Sequence, residues 1–292
     1  MTITTTRQST STMPQGQVKK THTLDYAQSP LVVDVWEPKN PSHATPILLV
    51  HGWGGTGTYW QDTAAELAQT VTVIVPDLPG TGRSQPVTTA QNLYDQVNAI
   101  QFVVDALELD TVQLVGHSMG GAMSVLLAAR NPQLVERLVL TSLTFFMNKA
   151  QERVYEMVMR TFKVTINFRP SWLAKVPGVP KMMARHYFYN VPDNHQLLQS
   201  GLLDYLTLDA GTALACAQNA TDAAIKEAGA TIQAPTLMIC ARQDEMMPLQ
   251  NVDFTQDIIP DCRVRWIENC GHLPMVEKPD AYMAILKDFL VL

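Results

Sequence analysis

Charge is scarce in this chain. Asp, Glu, Lys and Arg make up only 16% of its 292 residues, well under the quarter usual for a soluble domain. The basic side chains are the minority, 21 Lys and Arg against 27 Asp and Glu, and the net charge is −6. That balance argues against a nucleic-acid binder, which carries a basic patch. Long apolar runs are missing too. None approaches the roughly 18 residues a membrane-crossing helix needs, so stable membrane insertion is not expected. Cysteine is limited to Cys216, Cys240, Cys262 and Cys270, with no C-x-x-C pair among them. Zinc-ribbon and thioredoxin-type sites are thereby excluded. Cys262 and Cys270 flank an extended stretch that holds them about 25 Å apart, too far for a disulfide. All four read as free thiols, as expected in the reducing cytoplasm. The first twenty residues lack both acidic residues and an apolar core, which excludes a secretory signal peptide. Residues 1–18 are expected to form a disordered tail.

Apolar matter is ample, at 46% hydrophobic residues. It falls in short β-branched runs alternating with helical periodicity. Strands are predicted at 31–36, 46–51, 71–77, 111–115 and 137–143, and helices at 59–69, 92–107 and 119–130. In the helix at 92–107, Val97, Ile100, Val104 and Leu107 recur every three or four residues. From 144 to 234 the strands give way to helical segments. The alternation resumes with strands at 235–240 and 263–267 and helices at 249–258 and 280–290. This predicts an α/β fold with a mostly parallel sheet covered on both faces. Residues 19–144 and 235–292 would be the core domain, and 145–234 a helical cap inserted into it.

The decisive segment is T-V-Q-L-V-G-H-S-M-G-G, residues 111–121. A G-x-S-x-G between strand and helix is a nucleophile elbow, which lifts Ser118 above the sheet edge. A serine needs a base. Of seven histidines, His22 and His43 lie before the first catalytic-domain strands, His117 must diverge from its neighbour Ser118, and His186 and His195 lie in the insertion. His272 follows a strand, in a loop at the edge where α/β sheets bind ligands. The orienting carboxylate must come after residue 118. The end of the strand at 235–240 offers Asp244, with Glu245 in reserve. Donors for a developing oxyanion would be the backbone N–H groups of Met119 and Trp53, the latter in the loop His51-Gly52-Trp53-Gly54-Gly55.

With those motifs in that order, the chain strongly resembles the α/β-hydrolase fold superfamily, in particular its serine-nucleophile, esterase-like members with a helical cap. Further landmarks are Asp77-Leu78-Pro79-Gly80-Thr81-Gly82-Arg83-Ser84 and Gly271-His272. The resemblance implies an eight-stranded sheet, a Ser118-Asp244-His272 triad and an oxyanion hole at Trp53 and Met119. It implies no metal and no other cofactor. Asp77 and Arg83 read as mainly structural. Relatives that open epoxides or cleave carbon–halogen bonds carry Asp at the nucleophile, where this chain has Ser118. Carbon–carbon hydrolases commonly carry Ser-Gly-Pro after His-Gly and Trp after the triad histidine, whereas here Trp53-Gly54-Gly55 and Leu273 stand.

The leading expectation is hydrolysis of small to medium apolar carboxylic esters through an acyl-enzyme. Carbon–carbon bond hydrolysis, acyl transfer and cofactor-free perhydrolase or haloperoxidase chemistry use the same triad. A non-catalytic binding protein would be marked by a broken triad. Phe145, Phe146, Met147, Met246 and Met275 are expected to line the substrate pocket, since methionine and aromatics suit adaptable apolar sites. The insertion adds Met157, Trp172, Met182, Tyr187 and others of that kind. A small-molecule ester is the expected partner, and homodimerisation is compatible with the sequence.

Overall fold

The β-branched runs pair side by side in one sheet of the computed structural model, which describes residues 5–12, 16–40 and 43–292. The strands are β1 (Thr5–Thr12), β2 (Val18–Tyr26), β3 (Ser29–Glu37), β4 (Ile47–Val50), β5 (Val73–Pro76), β6 (Val112–His117), β7 (Val135–Thr141), β8 (Thr236–Ala241) and β9 (Cys262–Ile267). Their spatial order is β1-β2-β3-β5-β4-β6-β7-β8-β9. Strands β2 to β9 form the expected eight-stranded, mostly parallel sheet. β5, β4, β6, β7, β8 and β9 run parallel, β3 pairs antiparallel with β5, and β2 pairs antiparallel with β3. Every residue of β4, β5 and β6 is buried, as central strands covered on both faces must be.

The amino-terminal end corrects the expectation of a disordered tail. Thr5–Thr12 pairs antiparallel with β2 and adds a ninth, edge strand. Residues 1–4 and 13–15 lie outside the described residues. The physical reason is the free edge of β2, whose row of backbone donors and acceptors is a template for any extended segment. Gly16, at φ +87°, takes the left-handed turn between the two. β2 was itself unread because it is polar, V-K-K-T-H-T-L-D-Y, with only Leu24 buried. His22, expected before the first catalytic-domain strands, lies within β2.

The helices are α1 (Gln61–Leu67), α2 (Leu93–Ala106), α3 (Met119–Arg130), α4 (Lys149–Thr165), α5 (Val179–Ala184), α6 (His195–Thr207), α7 (Ala210–Asn219), α8 (Ala223–Gly229), α9 (Val252–Ile258), α10 (Pro274–Glu277) and α11 (Pro279–Phe289). Strand alternation sorts the core into two layers. Leu48, Val50, Leu114 and Leu138 face a cluster with Val97, Val125 and Val252 of α2, α3 and α9. Ile47, Leu49, Val115 and Val139 face the other, with Leu67 of α1 and Tyr282 and Leu286 of α11. Truncating a leucine in either layer to alanine costs about 2–5 kcal/mol.

The insertion ends earlier than residue 234. α8 packs on α3, and its Ile225 belongs to the first core layer together with Ile232 and Ala234. Phe145, at the other boundary, is buried in the same layer. Helices α4 to α7 make up the outer part of the insertion, the segment expected to form a cap. One small cluster gathers Ala174, Leu202 and Leu206 with Tyr205, and another gathers Ile166, Leu208 and Ala213 around Trp53 from the core. Among the described cysteines, Cys216, Cys240 and Cys270 are buried, Cys262 is half-buried, and all four are unbridged.

Candidate active site

One residue separates β6 from α3, and it is Ser118. Its φ of +52° and ψ of −123° are strained for a side chain with a Cβ, worth on the order of 1–3 kcal/mol that the surroundings must supply. They do so by close packing. A Cβ on Gly116 would collide with Ser124 Oγ and the Gly120 carbonyl, and one on Gly120 with the carbonyls of Val50 and His51. The Ser118 N–H donates to the Thr141 carbonyl of β7 at 2.8 Å. The serine hydroxyl is thus held above the carboxyl end of the sheet.

Asp244 stands on the loop after β8 and His272 on the loop after β9. Both are buried, and His272 Nδ1 lies 2.8 Å from Asp244 Oδ2. The other carboxylate oxygen accepts the N–H groups of Met246 at 2.8 Å and Met247 at 3.1 Å. A carboxylate so occupied makes Nδ1 the donor and leaves Nε2 of His272 to accept a proton. Glu245, the neighbouring acid, is exposed.

The main chain of His272 is clamped on both sides. Its N–H donates to the Tyr187 carbonyl in the cap at 2.7 Å. Its carbonyl accepts from His117 Nε2 at 2.9 Å. That fixes the His117 tautomer, so Nδ1 accepts from the Tyr59 hydroxyl at 2.9 Å, and Tyr59 accepts the Gly52 N–H at 2.6 Å. Burial, and then the proximity of His272, hold the His117 imidazole far below its ordinary range, so it stays neutral. Glu277 completes the clamp by accepting the N–H groups of Gly271 at 2.8 Å, Tyr189 at 3.2 Å and Asn190 at 2.5 Å. Sequence reasoning missed these supports. Tyr59 and Glu277 sit at unremarkable positions, and adjacency to Ser118 argued only that His117 points away.

Gly52 places the loop after β4 against the elbow. A Cβ there would come within 3.0 Å of His117 Nδ1 and 3.1 Å of Ser118 Cβ. The Trp53 backbone therefore passes beside Ser118. The Met119 N–H opens α3, where helix geometry supplies no intrahelical acceptor. The Trp53 side chain turns to the cap, donating from Nε1 to the Ala213 carbonyl at 2.9 Å and meeting the Tyr205 ring edge-on at 6.1 Å. The Tyr187 ring lies 6.4 Å from that of His272. In the landmark loop, Asp77 accepts from Arg83 Nε at 2.8 Å and from the Gly57 N–H at 3.0 Å, while Arg83 also reaches Asp34 at 2.9 Å.

Of the five residues expected to line a pocket, Phe145 and Phe146 share one small cavity, with Leu143 and Ala122, and Met147, Met246 and Met275 lie elsewhere. Phe145 is buried under α8 against Gly229. Met275 is buried beneath the opposite face of the sheet, in the layer of Trp60 and Tyr282. Phe146 packs on Tyr155, and Met147 and Met246 are exposed. The aromatic surface next to the site is instead Trp53, Tyr187 and Tyr205.

The cap and the loop after β4 are also joined by a half-buried carboxyl. Asp204 of α6 accepts the Thr56 hydroxyl at 2.8 Å. Burial above all, opposed by that hydrogen bond and reinforced by the charge of Asp77, pushes its pKa from 3.8 up to about 6. The folded protein therefore holds this proton more tightly than the unfolded chain does. The resulting stability is fully present below pH 3.8 and is lost as the pH rises through about 6. Asp204→Asn keeps an acceptor for Thr56 and removes the half-buried charge. It is expected to stabilise the protein by on the order of 2 kcal/mol at neutral pH and by little in acid. Denaturant unfolding at pH 4.5 and 7.5 checks this, and equal gains at both would contradict it.

A profile of the alpha/beta hydrolase fold matches residues 45–279, and the chain belongs to that family. Among its relatives, a 2-hydroxymuconate semialdehyde hydrolase from Pseudomonas sp. strain CF600 is 28% identical over 268 residues, covering 84% of this chain and 86% of that one. Lipase 3 of Moraxella sp. strain TA144 is 27% identical, with 80% and 73% covered. Among solved structures, an esterase from Exiguobacterium antarcticum superposes with a TM-score of 0.75 at 18% identity, over 89% of this chain and 95% of that one.

Proposed function

We propose that this hydrolase-family protein cleaves carboxylic esters of small to medium apolar substrates, with Ser118, His272 and Asp244 as its catalytic triad. The observation that carries this reading is the 2.8 Å bond between His272 Nδ1 and Asp244, both buried, with the His272 carbonyl held by His117, the residue just before the strained Ser118 elbow. Ser118 Oγ attacks the ester carbonyl carbon while His272 Nε2 takes its proton. The negative charge on the carbonyl oxygen is met by the N–H groups of Met119 and Trp53. His272 returns the proton to the leaving alkoxide, giving an acyl-enzyme and an alcohol. Water, deprotonated by the same nitrogen, releases the acid and regenerates Ser118. Asp244 keeps Nδ1 protonated throughout and stabilises the imidazolium as it forms.

Trp53, Tyr187 and Tyr205 support an apolar acyl or alkyl group. With about 0.8 kcal/mol per buried CH₂, kcat/KM is expected to rise about fourfold per added carbon over the first few carbons of a p-nitrophenyl ester series. It should then fall as the cap leaves no more room. A preference for anionic or polyhydroxylated esters, or a rise continuing to laurate, would overturn the substrate assignment. The 2-hydroxymuconate semialdehyde hydrolase relative favours one second reading, the same machinery cleaving a carbon–carbon bond. Product analysis on such a substrate, run beside the ester series, decides between them.

A further inference from the structure

The cap turns much of its apolar surface outward. In α4, Gln151, Tyr155 and Met159 form the half-buried side, and Tyr155 donates its hydroxyl to the Ala217 carbonyl. Val154, Met157 and Val158, spaced i, i+3, i+4, share another face, and each is more than half exposed. The segment that follows carries Phe168 at 84% exposure and Trp172 at 60%, and then Met182. Sequence composition placed Met157, Trp172 and Met182 among the side chains that fill the cap and pocket, and the structure puts them in water. Isolated apolar residues on a surface are ordinary, but a concentration of large ones marks a site of interaction.

Charge says with what. Residues 149–185 hold eight of the chain's 21 Lys and Arg and only two of its 27 Asp and Glu, in a protein whose net charge is −6. Three of these cations have partners within the cap. Lys149 pairs with Glu152, Arg169 donates to the carbonyls of Ile166, Tyr205 and Leu208, and Lys181 lies 3.8 Å from Asp193 in an exposed pair. Arg153, Arg160, Lys163, Lys175, Lys181 and Arg185 are exposed. Arg153 and Arg160 are seven residues apart and so lie on one side of α4, bordering its apolar face. Exposed Trp, Phe and Val in a cationic, amphipathic segment is the composition that lies in the plane of a bilayer interface. No helix among the described residues is long and apolar enough to cross a membrane.

We infer that the cap segment 149–185 docks on an anionic lipid bilayer, its apolar side chains entering the boundary between headgroups and acyl chains and its cations meeting the phosphates. A second copy of the chain fits this surface less well. A two-fold contact would set one cationic stretch against the same stretch of its partner.

The test is co-sedimentation of the full-length protein with vesicles of phosphatidylcholine alone and of phosphatidylcholine with one-third phosphatidylglycerol, at low and high salt. Binding is expected on the anionic vesicles at low salt, about tenfold or more above that on neutral ones, and it should be lost at high salt. Three paired variants separate the contributions. Arg153→Gln with Arg160→Gln should weaken anionic binding about tenfold or more. Val154→Ser with Val158→Ser, and Phe168→Ser with Trp172→Ser, should each weaken it comparably. Turnover of the soluble p-nitrophenyl acetate should be unchanged in all three, showing that the fold is retained. Wild-type protein that stays in the supernatant of the anionic vesicles would overturn the inference, as would binding undiminished in all three variants. So would a dimer in light scattering that the Val154 and Val158 pair of changes dissociates, since the surface would then belong to a second copy.

Discussion

Ser118→Ala is expected to lower kcat for ester hydrolysis by on the order of 10⁴- to 10⁶-fold while leaving the unfolding midpoint close to that of the parent. The loss is large because the hydroxyl is the only atom removed and the only one that forms the covalent bond. What remains is the polarising effect of the Met119 and Trp53 donors and the binding of substrate. The fold should survive because the elbow is not held by that hydroxyl. It is held by the fit of Gly116 and Gly120 against their neighbours and by the Ser118 N–H on Thr141. Alanine meets the same backbone requirement that serine does. The measurement is steady-state turnover alongside labelling of the parent by a fluorophosphonate, with the adduct located by mass spectrometry. An adduct on any residue but Ser118 would sink the assignment.

Asp244→Asn is expected to cost about 10³- to 10⁴-fold in kcat, with little change in KM. The cause is the tautomer of His272. Asp244 Oδ1 accepts two backbone N–H groups, from Met246 and Met247, and Oδ2 accepts from His272 Nδ1. An asparagine keeps the two backbone bonds only by placing its oxygen on that side, which turns its NH₂ toward Nδ1. The ring must then carry its proton on Nε2, where the Ser118 proton should go. Glu245→Gln changes an exposed side chain and should cost less than about tenfold. Kinetics of both variants on one ester decide the matter, and the opposite ranking would move the acid by one residue.

Local signals made much of this molecule readable. The alternation of β-branched runs with helical periodicity located β3 to β8 because a strand covered on both faces is apolar along most of its length, and it located the edge strand β9 through its alternating Val264 and Trp266. The elbow was legible because a one-residue turn between strand and helix demands small neighbours, and Gly116, Gly120 and Gly121 are written into six consecutive residues with Ser118. Even the choice of His272 needed only its position after a strand and its order in the chain. β2 failed the same test. Its Lys19-Lys20-Thr21-His22-Thr23 is polar because it stands near the sheet edge, so its identity as a strand depends on β3 beside it.

The pocket residues show where such reasoning stops. Methionine and phenylalanine announce that a side chain leaves water, not which layer it enters. Met275 lies three residues from His272, yet the turn into α10 carries it beneath the sheet, and Phe145 drops under α8. Met157, Trp172 and Met182 do not leave water at all.

The chain's local pattern by itself determined the sheet, its helical cover, the serine at the elbow, and the order in which acid and histidine follow. Each of those depends on the near neighbours of a residue, through periodicity, chain order and turn geometry. Only the tertiary structure decided what steadies the histidine. His117 and His272 are 155 residues apart, and Gly52, Tyr59 and Glu277 reach the same loops from three different elements. The half-buried carboxyl of Asp204 and the outward face of α4 are of the same kind. A hydrogen bond across such distances, a raised pKa and an exposed apolar face are properties of what the folded chain brings near a group or leaves open beside it, and no window of neighbouring residues contains that information.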